Sequence, residues 1–222
     1  MRKTFRVVTV LGVGVVLAVG GAAGGKVVLG NAREAEACEG LQAYLQDPGL
    51  LVKSPDGAAG VAALGDSYTA GDGLEERGDG WAYQVAGTVA GVGSTGFVSG
   101  GYCGEHSYAE RIAAVLETGP ETLIIQGGLN DTSAEPEELR AAADALLEDA
   151  ASVPRVVVVG PVNAPARDGE QAVDAALSEA AQTAGADYVS ALEWELAFLP
   201  DDLHLTKDGH EEFAARVGNA LD

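Results

Sequence analysis

Ser67 stands in Ala63-Leu64-Gly65-Asp66-Ser67-Tyr68-Thr69-Ala70-Gly71, directly after a short apolar run. Far along the chain, Asp201-Asp202-Leu203-His204 sets a carboxylate three residues from an imidazole. A serine hydroxyl attacks well only when a base removes its proton, and that base must be held in the right tautomer. His204 can take the proton and later hand it to a leaving group. Asp201 is spaced to accept the other imidazole N–H on a tight turn, with Asp202 as the alternative orienter. A Gly-Asp-Ser tripeptide alone is an ordinary turn; the order and placement of the three parts together point to nucleophilic catalysis. Asn130, in Gly128-Leu129-Asn130-Asp131, reads by itself as a turn or capping residue. Asp66 and Asp131 flank Ser67 and Asn130, and read as carboxylates that hold loops through hydrogen bonds, not as a catalytic pair.

Charge and motif content exclude several other chemistries. The net charge is −21, from 13 basic and 34 acidic residues. Four of the basic residues (Arg2, Lys3, Arg6 and Lys26) lie in positions 1–30, so the remainder is more acidic still. Such a surface repels phosphate backbones, and no nucleic-acid partner is expected. No Gly-x-Gly-x-x-Gly opens a helix and no lysine-bearing phosphate loop is present, so no cofactor is expected. His106 and His210 have neither His-x-x-x-His nor thiolate spacing around them, and no metal is expected. His210 reads as a helix-start or surface residue.

The elements that must position these groups follow from the apolar runs. Positions 1–30 have a basic start and a long apolar, glycine-rich continuation, the pattern of a signal peptide or an N-terminal membrane anchor. The catalytic part is therefore expected to be secreted or extracytoplasmic, with membrane contact only through that segment. Residues 31–57 form a polar lead-in with a helical stretch around Ala35–Leu45, and 58–222 form one domain. Export favours a disulfide between Cys38 and Cys103, the only two cysteines. Ala59–Leu64, Thr122–Ile125, Arg155–Val159 and Asp187–Val189 read as strands, with another within the glycine-rich 87–101 stretch. Helices are expected through Trp81, Tyr83 and Val85, from Tyr108 to Leu116, from Pro136 to about Ala151, over Asp168–Ala184, and over Gly209–Val217. Trp81 and Tyr83 are two apart, so one of them is expected in the core. Tyr102 is a candidate pocket residue. Fully apolar strands separated by helices imply a largely parallel sheet covered on both faces, with functional residues beyond the carboxyl ends of the strands.

The chain resembles the GDSL-like esterases and lipases, the SGNH hydrolase family. Gly65-Asp66-Ser67 with Gly71, Gly128-Leu129-Asn130-Asp131, and Asp201-Asp202-Leu203-His204 match three family blocks in order, and Trp81 sits where many members have a tryptophan. The resemblance runs over about residues 59–220. It implies a three-layer α/β/α sandwich with a mainly parallel, flavodoxin-like sheet, and a triad of Ser67, His204 and Asp201. It also implies an oxyanion hole made by the Ser67 N–H, a backbone N–H from a glycine block, and the Asn130 amide. Gly104, which leads into Tyr108 and Arg111, is the expected glycine, with Gly101 second. The activity implied is hydrolysis of carboxylic esters through an acyl-enzyme, with short acyl, acetyl or carbohydrate esters as substrates and a monomer as the working unit. Lipase or phospholipase activity of the same family, and a non-catalytic exported binding protein on this scaffold, are the alternatives.

Overall fold

Six strands and seven helices carry residues 35–222, the part of the chain that the computed structural model describes. The expected export segment at 1–30 lies outside the described residues. Helix α1 is described over 35–44 and continues as a wider turn, Leu45–Gly49. The sheet is built from β1 (Val52–Lys53), β2 (Ala58–Gly65), β3 (Ala86–Gly91), β4 (Thr122–Gln126), β5 (Arg155–Val162) and β6 (Asp187–Ala191). Their spatial order is β1-β3-β2-β4-β5-β6. All neighbours run parallel except β1, which pairs antiparallel with β3 through Val52 and Val89. Without that edge strand the order is the flavodoxin-like 2-1-3-4-5.

Side chains alternate faces along a strand, so a strand apolar at every position must be covered twice. Leu64, Leu123, Ile125 and Val158 enter a core with Ile112, Leu139, Leu146 and Leu177. That face is covered by α4 (Tyr108–Leu116), α5 (Pro136–Asp149) and α6 (Glu170–Ala184). Ala63, Val89, Ile124, Val157 and Val159 point the other way, into a core with Trp81, Phe213 and Val217. There α3 (Trp81–Val85) and α7 (Lys207–Leu221) form the cover. The indole of Trp81 packs 5.1 Å from the Phe213 ring, centroid to centroid.

Two expectations need correcting. Trp81 and Tyr83 are both buried, not one of the two, because α3 has cover on more than its α7 side. On another side Ser54, just beyond β1, donates its hydroxyl to the Tyr83 carbonyl. His210 is not a surface residue: it lies in the first turn of α7 at 1% exposure, and its Nδ1 accepts the Trp81 N–H at 3.3 Å. Edge strand β1 has only two residues and no periodicity to read. Its Lys53 places a charge on the open edge, which blunts further strand pairing.

Cys38 and Cys103 form a disulfide across 65 residues, joining α1 to the 101–104 turn. Closing a loop of that length is worth up to about 4 kcal/mol by chain entropy.

Candidate active site

Ser67 follows β2 immediately and opens α2 (Ser67–Ala70), a single turn. Each residue of Gly65-Asp66-Ser67 has a local reason. A Cβ on Gly65 would collide with Thr69 Oγ1, so the strand end and the helix can approach only with glycine there. Asp66 is the N-cap, accepting the Tyr68 N–H at 2.9 Å. Gly71 ends the turn in the left-handed region at φ 73°. The Ser67 N–H belongs to the first residue of the helix and has no intrahelical acceptor. Burial pushes the Asp66 carboxyl up to about 7, against the Tyr68 amide, which lowers it.

The parallel sheet reverses its strand order between β2 and β4, so the crevice beyond their carboxyl ends is a switch point. Ser67 lies beyond β2. Asn130 lies beyond β4, in the short turn Leu129–Asp131. The Asn130 Nδ2 donates to the Thr95 carbonyl at 2.9 Å, which fixes the plane of the amide. Asp131 accepts three backbone N–H groups, from Phe97 at 2.9 Å, Val98 at 3.0 Å and Ser99 at 2.9 Å. These bonds pull its pKa down against the larger effect of burial, which raises it. Asp131 thus holds the 97–99 loop by three backbone amides, while Asp66 caps α2 by one.

His204 and Asp201 come from the turn before α7. Asp201 Oδ2 lies 2.7 Å from His204 Nδ1, while Oδ1 accepts the Leu203 and His204 amides at 3.1 and 3.0 Å. The hydrogen bond to His204 holds the Asp201 carboxyl down at about 2. Asp201 and not Asp202 meets the imidazole; Asp202 takes the left-handed conformation, φ 55°, that lets the turn fold back. With Nδ1–H donated to Asp201, Nε2 is left to accept a proton.

Two links bring this turn to Ser67. The Tyr68 hydroxyl donates to the Leu203 carbonyl. The loop after α2 makes the second: the Asp72 N–H donates to the Ser67 carbonyl at 2.9 Å, and a Cβ on Gly73 would lie 3.2 Å from His204 Cβ. Among the described residues, no hydrogen bond joins Ser67 Oγ to His204. Such bonds are often long without substrate and tighten in the reacting complex.

The glycine expected to complete the site is displaced. The Gly104 N–H is spent on the Gly101 carbonyl at 3.1 Å, and a Cβ there would meet nothing within 4 Å. The Gly101 N–H lies 3.4 Å from Ser99 Oγ. Gly93, two residues past the end of β3, is the glycine beside the serine. A Cβ on it would collide with Asp72 Oδ2 and lie 3.8 Å from Ser67 Cβ. Among the described residues its N–H has no hydrogen-bond partner.

Arg111 was legible only as part of the approach to α4, yet it ties the site together. It is 1% exposed and donates to the carbonyls of Gly65 (3.0 Å), Ala90 (2.8 Å) and His106 (2.8 Å) and to Thr95 Oγ1 (2.8 Å). One guanidinium therefore joins the ends of β2 and β3 to the loop that holds Asn130. Its five-donor fork suits such a task, and burial lowers its pKa to about 10. Among the described residues, no three His, Cys, Asp or Glu side chains gather as a metal site.

Solved structures with this fold include Est24, a carbohydrate acetylesterase from Sinorhizobium meliloti, at TM-score 0.61 and 16% identity, covering 72% of this chain and 97% of that one. The aryl esterase of M. smegmatis matches at TM-score 0.60 and 18% identity, over 72% of this chain and 97% of that one. The psychrotrophic esterase EstA from Pseudoalteromonas sp. matches at TM-score 0.60 and 14% identity, over 75% and 96%. At such identities the likeness is one of fold. No curated protein matches the sequence. The GDSL-like lipase/acylhydrolase family matches residues 63–212, which take in every side chain from Ser67 to His204 described above. The chain belongs to that family, of SGNH type, and is an ester hydrolase of its kind.

Proposed function

We propose that Ser67 is the nucleophile of a carboxylic-ester hydrolase, with His204 as general base and Asp201 as its orienter. The observation that carries this is the 2.7 Å pair between Asp201 and His204, on a turn tied through Tyr68 to the helix that Ser67 opens. As Ser67 Oγ bonds to the ester carbonyl carbon, its proton passes to His204 Nε2 and the carbonyl π electrons move onto oxygen. The oxyanion is held by the Ser67 N–H, the Gly93 N–H and the Asn130 amide, with Gly93 in place of Gly104. One well-aimed donor of this kind contributes roughly 3–4 kcal/mol to the transition state. The intermediate collapses, the alcohol leaves with the proton from His204, and an acyl-serine remains. Water, deprotonated by His204, then releases the acid and restores Ser67.

The substrates are short acyl or acetyl esters, including esters of carbohydrates. A solved structure of similar fold is named as a carbohydrate acetylesterase, which supports that choice of acyl size, and another as an aryl esterase, which supports aryl esters as test substrates. The protein works outside the cytoplasm as a monomer; the disulfide between Cys38 and Cys103 supports an oxidising compartment. Among the described residues no helix is long and apolar enough to cross a membrane, so the N-terminal segment is the element that would hold the enzyme to one if uncleaved.

Turnover of p-nitrophenyl acetate by the purified protein, alongside Ser67→Ala, tests the assignment. Loss of about 10³-fold or more in kcat is expected. Unchanged turnover in a folded Ser67→Ala protein would remove Ser67 from the mechanism.

A further inference from the structure

The family's matched residues begin at 63, so α1 lies outside the matched stretch, while its disulfide partner Cys103 lies within it. Neither is remote from the chemistry. A cavity of about 160 Å³ lies between α1 and the loops beside Ser67, with Gly93 and Asp72 on one side and Leu41 and Tyr44 of α1 on the other. Tyr102, half exposed and next to the bridged Cys103, lies on its rim. Both ends of α1 are tied down. Cys38 is bonded to Cys103. Tyr44 lies under the Arg77 guanidinium at 4.3 Å, and Arg77 pairs with Asp72 at 2.8 Å.

We propose that this cavity is the acyl subsite and that α1 sets the length of acyl chain the enzyme accepts. The inference rests on Ser67 being the nucleophile. Gly93 contributes both to the cavity lining and, through an N–H that has no hydrogen-bond partner among the described residues, to the oxyanion position beside Ser67. An ester bound there has two arms. The alcohol oxygen must stay within reach of His204, which gives it a proton; neither His204 nor Ser67 is part of the cavity wall, which reaches the serine through Gly93. The acyl arm is the one free to enter. Drug-sized ligands occupy pockets of roughly 300–1,000 Å³; a cavity of about 160 Å³ suits an acyl group of a few carbons. Leu41 and the aromatic rings offer an apolar wall, and Asp72 and Arg77, also in the lining, offset each other's charge at 2.8 Å. A larger cavity of about 380 Å³, lined by Pro154 and Asp187, opens at the amino ends of β5 and β6, the end of the sheet away from Ser67.

The test is a pair of substrate series on the full chain. One varies the acyl group of p-nitrophenyl esters from acetyl through butyryl to octanoyl; the other holds acetyl and varies the aryl alcohol. In Leu41→Ala the ratio of kcat/KM for octanoate to acetate should rise by about tenfold, the scale at which apolar pockets discriminate single methylenes. A double Cys38→Ser, Cys103→Ser variant, which frees α1 without changing the wall, should move the ratio in the same direction. Neither variant should change the ranking within the alcohol series. Circular dichroism and fluorophosphonate labelling of Ser67 report whether each variant is folded. Unshifted acyl ratios in folded, labelled variants, or a shift confined to the alcohol series, would overturn the subsite while leaving the nucleophile standing. A folded wild-type protein that cleaves no ester and takes no label at Ser67 would remove the nucleophile and the subsite together.

Discussion

The two sides of the site are built on opposite plans. Around Ser67 the charged side chains that tie the loops together are buried. Asp66, Arg111 and Asp131 are each 1% exposed, and between them they bind three loop ends and the cap of α2. The Asp201–His204 turn is open by comparison, with the two side chains 48% and 25% exposed, and it is tied to the rest of the domain by the Tyr68 hydroxyl and by the Ala166 N–H, which donates to the Asp202 carbonyl at 2.9 Å. Under the proposed assignment the nucleophile and the oxyanion donors need fixed positions from the outset, since preorganised dipoles act without rearrangement in the reaction. The proposed base must give and take protons and admit water. On that assignment rigidity is concentrated where charge is to be stabilised, and solvent access where protons move.

That contrast can be broken most sharply from the open side. His204→Ala should lower kcat by about 10⁴-fold while leaving the melting temperature within a few degrees, because the turn keeps the Asp201 bonds to its backbone amides. Steady-state kinetics and a thermal melt on the same sample check both halves. On the buried side, Arg111→Met strands several carbonyl acceptors and should cost about 3 kcal/mol or more, seen as a melting point lower by about 10 °C. A stable Arg111→Met protein would mean that the loop ends do not need their tie.

The pH dependence of stability gives a third effect. Folding holds the Asp66 carboxyl at about 7, above its ordinary 3.8. Between these values the folded protein keeps a proton that the unfolded chain releases, so this contribution is full below pH 3.8 and is lost as pH rises towards 7. The slope is at most about 1.4 kcal/mol per pH unit. Asp66→Asn should therefore gain stability relative to the wild type between pH 4 and pH 7 in urea titrations, and a constant difference would contradict the burial argument. Smallest of all, Tyr68→Phe removes one hydroxyl linking the two sides. It should lower kcat by about tenfold or less, at a cost of roughly 1 kcal/mol in stability.

Much of the fold was legible because β4 and β5 are continuous apolar runs long enough to be strands and too short to be anything else. The two-residue β1 carries no such signal. Ser67 and Asn130 could be set near each other from the order of strands and helices, and Asp201 near His204 from spacing alone. Gly93 was hidden because the glycine-rich 87–101 stretch does not reveal where β3 ends. Gly104 drew attention through its nearness to α4, but a turn hydrogen bond uses up its amide. Arg111 was the hardest to read: an arginine within an amphipathic helix looks solvated, and only the packed structure aims it at four acceptors.

The most direct measurement is to trap the acyl-enzyme. Rapid acid quenching during the first turnovers of p-nitrophenyl acetate, followed by peptide mass spectrometry, should find an acetyl group on Ser67. Acetyl on Ser67 in the wild type and none in Ser67→Ala is the expected result. Turnover of the ester with no adduct on Ser67, or with an adduct on another residue, would contradict the account.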